Sequence, residues 1–376
     1  MPGLLPNVDP KGLLEYSVVY TDRALNHMSQ SFQEVMCEIS STLKQVYHAE
    51  GVVIVPGSGT FGMEAVARQF ARDKRCLVVR NGWFSYRWTQ IFELGNIPSE
   101  CLVKKAKRTD DSDQPAFAPP PIDEVVLAIK NQKPALVFAP HVETSAGMIL
   151  PMDYIKALGD AVHSVGGLLV LDCIASGTIW VDMKKTGVDI LISAPQKGWS
   201  GPPCCGLVMM SDQAIKRMEH TTSDSFACDL KKWSQIMQAY LDGGHAYHAT
   251  MPTDALYRFC EVMKETVSTG LSNVRDQQQE LGDKVRAMLE ARGFKSVAAP
   301  GFQAPGVVVC YTNDPDIKSG KKFKEAGLQI AAGVPLQCDE PADFQTFRIG
   351  LFGLDKLKDM NGTLDRLSKA LDQIVP

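Results

Sequence analysis

A chain of 376 residues is too long for one ordinary hydrophobic core, so it implies two lobes or one large α/β unit with an appendage. Its 22% charged and 45% hydrophobic residues are those of a water-soluble globular protein, and a net charge of -4 gives no electrostatic case for a nucleic-acid or anionic-membrane partner. The longest apolar run, Gly166–Val181, is interrupted by Asp172 and does not span a bilayer; ten cysteines without regular spacing read as free thiols in a reducing compartment, which implies a cytoplasmic protein.

From the start, Met1-Pro2-Gly3-Leu4-Leu5-Pro6 lacks the basic region and apolar stretch of a secretory signal. Apolar, β-rich runs follow at Gly51–Val55, Cys76–Arg80, Ala135–Ala139, Leu168–Leu171, Val188–Ser193 and Leu207–Met210. Helical patterns lie between several of them: Met63, Val66, Ala67 and Phe70 recur at i, i+3, i+4 and i+7, and so do Ile122, Val125, Val126 and Ile129. Runs without alternation suit strands buried on both faces, and strand–helix–strand repetition predicts a mostly parallel sheet. After about Thr253 the pattern changes. Two long helical stretches, Asp254–Thr269 and Asn273–Arg292, precede strands at Gly306–Tyr311 and Phe347–Phe352. A closing amphipathic helix carries Leu364, Leu367, Leu371 and Ile374 on one face. Stretches Thr109–Pro121 and Thr312–Ile317 read as surface loops. The organisation expected is an N-terminal arm (residues 1–16), a large α/β domain (17–253) and a smaller α+β domain (254–376).

Three short motifs carry chemistry. In Ser193-Ala194-Pro195-Gln196-Lys197-Gly198 a predicted strand ends in a loop that presents one lysine. Such loops at the C-terminal ends of sheet strands are where α/β folds hold ligands. A lysine desolvated there drops below its ordinary pKa of about 10.4, and the neutral amine condenses with aldehydes. The apolar strand Leu168-Leu169-Val170-Leu171 ends in Asp172, 25 residues before Lys197. Read structurally it is a strand-end or helix-cap aspartate; read functionally it pairs with a protonated pyridine nitrogen and keeps that ring electron-poor. Finally, Gly57-Ser58-Gly59-Thr60 between a strand and a helix reads either as a simple tight βα turn or as an anion site made from free N–H groups, and it is neither a nucleotide P-loop nor a dinucleotide fingerprint.

With these motifs in this order the chain resembles the class V, fold type I, pyridoxal-phosphate-dependent aminotransferases, specifically the alanine/serine–glyoxylate (or pyruvate) group, over roughly Asp22 to Ile374. The resemblance implies a Schiff-base lysine at Lys197 and a pyridine-nitrogen partner at Asp172. It implies cofactor-phosphate contacts from Ser58, Gly59, Thr60 and Gln196. In Asn81-Gly82-Trp83-Phe84 with Arg87 it implies that Phe84 stacks on the ring; in His141-Val142-Glu143-Thr144-Ser145-Ala146-Gly147 it implies that Thr144 bonds near the ring oxygen. It makes the chain a homodimer in which Tyr247 and Thr250, from Tyr247-His248-Ala249-Thr250-Met251-Pro252, reach the neighbouring subunit's phosphate. Arg348, in Phe347-Arg348-Ile349-Gly350, is the implied substrate-carboxylate arginine, and no metal is called for. Two departures fall near the expected substrate region. Leu4-Leu5-Pro6-Asn7-Val8 stands where the family has a Gly-Pro-Gly-Pro-like stretch, and His27-Met28-Ser29 where it often has His-Arg-Ser.

The reaction implied is ping-pong transamination of alanine or serine with glyoxylate or pyruvate. Two other readings stay open. One is a cysteine desulfurase or lyase, since Cys338 lies ten residues before Arg348, although Gln196 stands where desulfurases usually place histidine. The other is a non-catalytic cofactor-binding regulator.

Overall fold

The computed structural model describes residues 9, 13–21 and 23–375; the Leu4–Val8 stretch therefore lies outside the described residues. The runs of Val, Ile and Leu form a seven-stranded sheet: β1 Gly51–Pro56, β2 Arg75–Arg80, β3 Glu100–Lys105, β4 Leu136–Pro140, β5 Leu168–Asp172, β6 Ile190–Ser193 and β7 Cys205–Met210. The strand order is β1-β7-β6-β5-β4-β2-β3. Neighbours from β6 through β3 run parallel, with Val137 opposite Leu169 and Leu191 opposite Leu171. Strand β7 runs antiparallel to both β6 and β1. Two reversals leave β1 pointing the same way as the parallel set. The C-terminal ends of β1, β2, β4, β5 and β6 thus share one edge of the sheet, and every motif of the first two hundred residues follows one of those ends.

Helices cover the sheet: α1 Gln30–Tyr47, α2 Gly59–Phe70, α3 Trp83–Gly95, α4 Ile122–Gln132, α5 Met152–His163, α6 Leu230–Leu241 and α7 Thr253–Thr269. Two of them start at a local side-chain cap. Ser29 caps α1 by accepting from Phe32 N, and Asp229 caps α6 by accepting from Lys232 N. Helix α1 then buries Phe32, Met36, Ile39, Leu43 and Tyr47, spaced at three or four residues.

The remaining chain builds α8 Leu271–Glu290, a three-stranded antiparallel sheet of β8 Val307–Tyr311, β9 Ala331–Ala332 and β10 Thr346–Gly350 in the order β8-β10-β9, and the closing helix α9 Met360–Ile374. In α9, Leu367, Leu371 and Ile374 are buried and Leu364 is half-buried. The strand expected over Phe347–Phe352 stops at Gly350, although Leu351 N still donates to Gly306 O at 2.9 Å. The expected surface loop Thr312–Ile317 instead includes the start of a one-turn helix, Pro315–Lys318, because Asp314 Oδ1 accepts from both Asp316 N and Ile317 N.

Three apolar cores result. The first lies around the seven-stranded sheet and takes in Leu256, Phe259, Cys260 and Met263 of α7. A second packs Val274, Leu281, Val285 and Leu289 of α8 against the small sheet and α9. The third joins the two sheets, with Val142, Ala146 and Met148 against Val307, Val309 and Tyr311.

Candidate active site

The turn after β1 is fixed by Gly57, whose φ of 121° suits no β-carbon and whose absent side chain leaves room for Phe61 at 2.8 Å. Ser58 stands at the N-cap of α2 but makes no capping hydrogen bond. The first-turn N–H groups of this twelve-residue helix therefore keep their donors for an anion.

Strand β2 delivers Asn81 and Gly82, and then Phe84 in the first turn of α3. That turn is held from outside. Glu143, wholly buried, accepts from Phe84 N at 3.1 Å, Ser85 N at 2.9 Å, Ser85 Oγ at 2.7 Å and Ser145 Oγ at 2.7 Å. Ser145 Oγ in turn accepts from Trp83 N at 2.9 Å. A β-carbon at Gly82 would lie 2.1 Å from Ser145 Oγ, so only glycine permits this approach. One carboxylate thus ties the loop that carries Thr144 to the helix turn that carries Phe84. Thr144 is buried, and its hydroxyl makes no hydrogen bond with the described residues.

Asp172 ends β5 nearly buried, and among the described residues its carboxylate accepts a single hydrogen bond, from Ile174 N to Oδ1 at 2.9 Å. Burial pushes its carboxyl up to about 7; the Ile174 N–H pulls the other way, Glu143 adds to the rise, and the charges of Arg87 and Lys197 oppose it. His141, at the end of β4, is fully buried with Nδ1 2.7 Å from Ser176 Oγ, and burial drops it to about 3, so the ring is neutral.

Lys197 lies in the loop after β6. Burial lowers its ammonium pKa, the Arg348 charge lowers it further, and Asp172 opposes both. Nζ sits 4.8 Å from the centroid of the Phe352 ring. The neighbouring Gln196 has a buried Oε1 without a partner. Arg348, in the middle of β10, donates from Nε to Ala332 O at 2.9 Å, and its Cζ lies 5.6 Å from the Phe84 centroid. It is half-buried and has no carboxylate partner among the described residues. Tyr247 and Thr250 stand apart: both are exposed, their hydroxyls lie 3.2 Å from each other, and Tyr247 faces the His27 ring at 5.6 Å. No hydrogen bond, ion pair or ring contact joins them to the other site residues of the same chain.

The arrangement offers an amine of lowered basicity, a buried carboxyl without an ion-pair partner among the described residues, a set of free N–H groups at a helix start and a guanidinium without a carboxylate beside an aromatic ring. A family model for class V aminotransferases matches residues 12–344. The chain belongs to that family. Among curated relatives of the aminotransferase, alanine–glyoxylate aminotransferase of Rattus norvegicus is 26% identical over 93% of this chain and 81% of its own. The 2-aminoethylphosphonate–pyruvate transaminase of Paraburkholderia phymatum is 28% identical over 93% of this chain and 89% of its own. Among solved structures, alanine–glyoxylate aminotransferase of Nostoc sp. superposes with a TM-score of 0.78 at 22% identity, covering 93% of this chain and 89% of that one. The fold is therefore that of the pyridoxal-phosphate aminotransferases, and pyridoxal phosphate is the cofactor. The residues present fit it: the uncapped α2 suits a phosphate, and Asp172 suits a protonated ring nitrogen.

Sequence reasoning gave no role to Glu143 or Phe352 and none of its own to Arg87. Glu143 lies within the quoted loop motif, but its partners are 58 and 59 positions away, which no spacing announces.

Proposed function

We propose that the aminotransferase transfers the amino group of a small L-amino acid, alanine or serine, to glyoxylate or pyruvate, with Lys197 and Asp172 as its catalytic residues. Bound pyridoxal phosphate supplies an aldehyde for condensation with amines and a ring that delocalises the negative charge left on the substrate α-carbon. Ser58, Gly59, Thr60 and Gln196 bind the phosphate, and Tyr247 and Thr250 complete that site from the second subunit of a homodimer. Phe84 offers a stacking face and Thr144 a hydroxyl at the ring edge. The Asp172 carboxylate keeps a proton on the ring nitrogen. Arg348 binds the α-carboxylate through its free fork, which turns the α-hydrogen toward Lys197. Lys197 Nζ accepts that hydrogen from the donor and, in the second half-reaction, returns a proton to the α-carbon of the acceptor.

The observation that carries the substrate reading is the unpaired Arg348 guanidinium, placed against the Phe84 ring and felt by Lys197. A half-buried guanidinium with its fork left open is a natural partner for an anion. The names of the relatives, one acting with alanine and glyoxylate and one with pyruvate, agree with a small substrate. The desulfurase reading loses its nucleophile: the Cys338 thiol is buried, lies 3.3 Å from the Arg80 carbonyl and is pushed up to about 12 by burial.

A donor panel of alanine, serine, aspartate, glutamate and 2-aminoethylphosphonate against glyoxylate, pyruvate and 2-oxoglutarate tests this. Alanine or serine with glyoxylate or pyruvate should give the highest kcat/KM. In Arg348→Ala, that value should fall by at least ~30-fold for donor and acceptor alike, and Arg348→Lys should restore part of it. A preference for glutamate or for the phosphonate overturns the substrate assignment.

A further inference from the structure

We propose that Arg87 is a further ligand of the cofactor phosphate, an inference that rests on the reading of Ser58-Gly59-Thr60 as the phosphate turn. Arg87 lies three residues after Phe84 on α3, hence on the same face of the helix. Its Cζ stands 5.3 Å from the Phe84 centroid, and Nη1 donates to Thr60 Oγ1 at 3.0 Å. These two contacts bring the guanidinium to the first turn of α2, where the N-cap serine leaves the helix donors free.

The charge of Arg87 has no carboxylate within ion-pair distance among the described residues, and its Nε and Nη2 have no acceptor. Arg68, near the C-terminal end of α2, and Arg72, two residues past that end, behave differently: both reach Asp224, and Arg68 also reaches Glu64 at 2.8 Å. A half-buried guanidinium held in place yet lacking an anion is a site awaiting one. Two anions are in range. Asp172 feels the charge, but no hydrogen bond joins the two side chains. The bond to Thr60 fixes the fork at the phosphate end, and a planar fork suits a phosphate better than an ammonium does.

The test compares two probes on the full-length protein freed of cofactor: pyridoxal phosphate, and pyridoxal, which has the same ring without the phosphate. Binding is followed by fluorescence titration. Arg87→Met should weaken pyridoxal phosphate binding on the order of 30-fold, as expected for loss of a charge-assisted bond, and change pyridoxal binding by less than about threefold. Arg87→Lys should fall between, and in its holoenzyme the phosphorus NMR resonance of the cofactor should shift while the pH titration of the visible band stays in place. Equal weakening toward both probes would mean that Arg87 acts through Asp172 or Phe84, and the proposal is then wrong. Unchanged binding of both probes also overturns it. If Arg87→Met does not fold, the Arg87→Lys spectra alone decide. A wild-type protein that binds neither probe is a different failure, that of the cofactor reading itself.

Discussion

At the level of single residues, Asp172 sets catalysis against stability. Burial raises its pKa from 3.8 to about 7 in the folded chain, so without cofactor the folded state holds the proton more tightly than the unfolded state does. By linkage, the stability of the cofactor-free protein falls as pH rises between those two values and recovers as pH drops. Asp172→Asn removes the titration. The cofactor-free variant should melt above wild type at pH 8, and the gap should close near pH 4. Its holoenzyme should lose turnover by at least ~100-fold, because the ring nitrogen loses its counter-charge. Melting curves at the two pH values and steady-state kinetics check both halves; a gap that does not change with pH, or normal turnover, contradicts the account. Asp172 and Lys197 were legible in the sequence because each follows a predictable buried strand. The Arg87–Thr60 bond was not, since it joins two helices whose packing depends on the strand order.

At the level of elements, the decisive contact is the docking of α3 onto the 141–147 loop. The first turn of α3 has no side-chain cap from its own N-cap residue, Gly82, and Glu143 takes that role from across the sheet. Removing a buried carboxylate that satisfies several donors costs about 2–4 kcal/mol. Glu143→Ala should therefore destabilise the protein by that amount in urea unfolding. It should also release cofactor faster on gel filtration, because Phe84 and Thr144 lose their common anchor. Glu143→Gln should recover part of both, since one amide oxygen still accepts. A stability loss with unchanged cofactor retention would show that the contact serves folding only. Six of the seven large-sheet strands were expected within a residue or two from their unbroken Val, Ile and Leu runs. Strand β3, Glu-Cys-Leu-Val-Lys-Lys, was missed because an edge strand is only half-buried and keeps polar residues. The antiparallel direction of β7 was also missed: a strand buried on both faces reads the same either way.

At the level of the whole molecule, the packing moves the expected division of the chain. Helix α7 belongs to the core of the large sheet and α8 to that of the small one, so we propose the domain boundary at Gly270 and not before Asp254. Arg348 lies opposite Val309, a residue of the third core, and its Cζ stands 5.6 Å from the Phe84 centroid of the large domain. We propose that Tyr247 and Thr250, which meet none of the other proposed site residues within one chain among the described residues, act across a dimer interface. Mixing Lys197→Ala chains with Tyr247→Phe/Thr250→Ala chains should give hybrid dimers in which one site collects both defects and the other neither. With random assortment, half the dimers are hybrid, so about a quarter of wild-type activity should return. No recovery, or a fully active monomer, contradicts the shared site. We propose that Lys197 carries the cofactor as a Schiff base. Borohydride reduction of the purified holoenzyme, followed by peptide mapping, tests it most directly. The reduced cofactor should be found on the peptide containing Gln196-Lys197-Gly198, with none on the Lys197→Ala protein; label on another lysine, or no label at all, would contradict it.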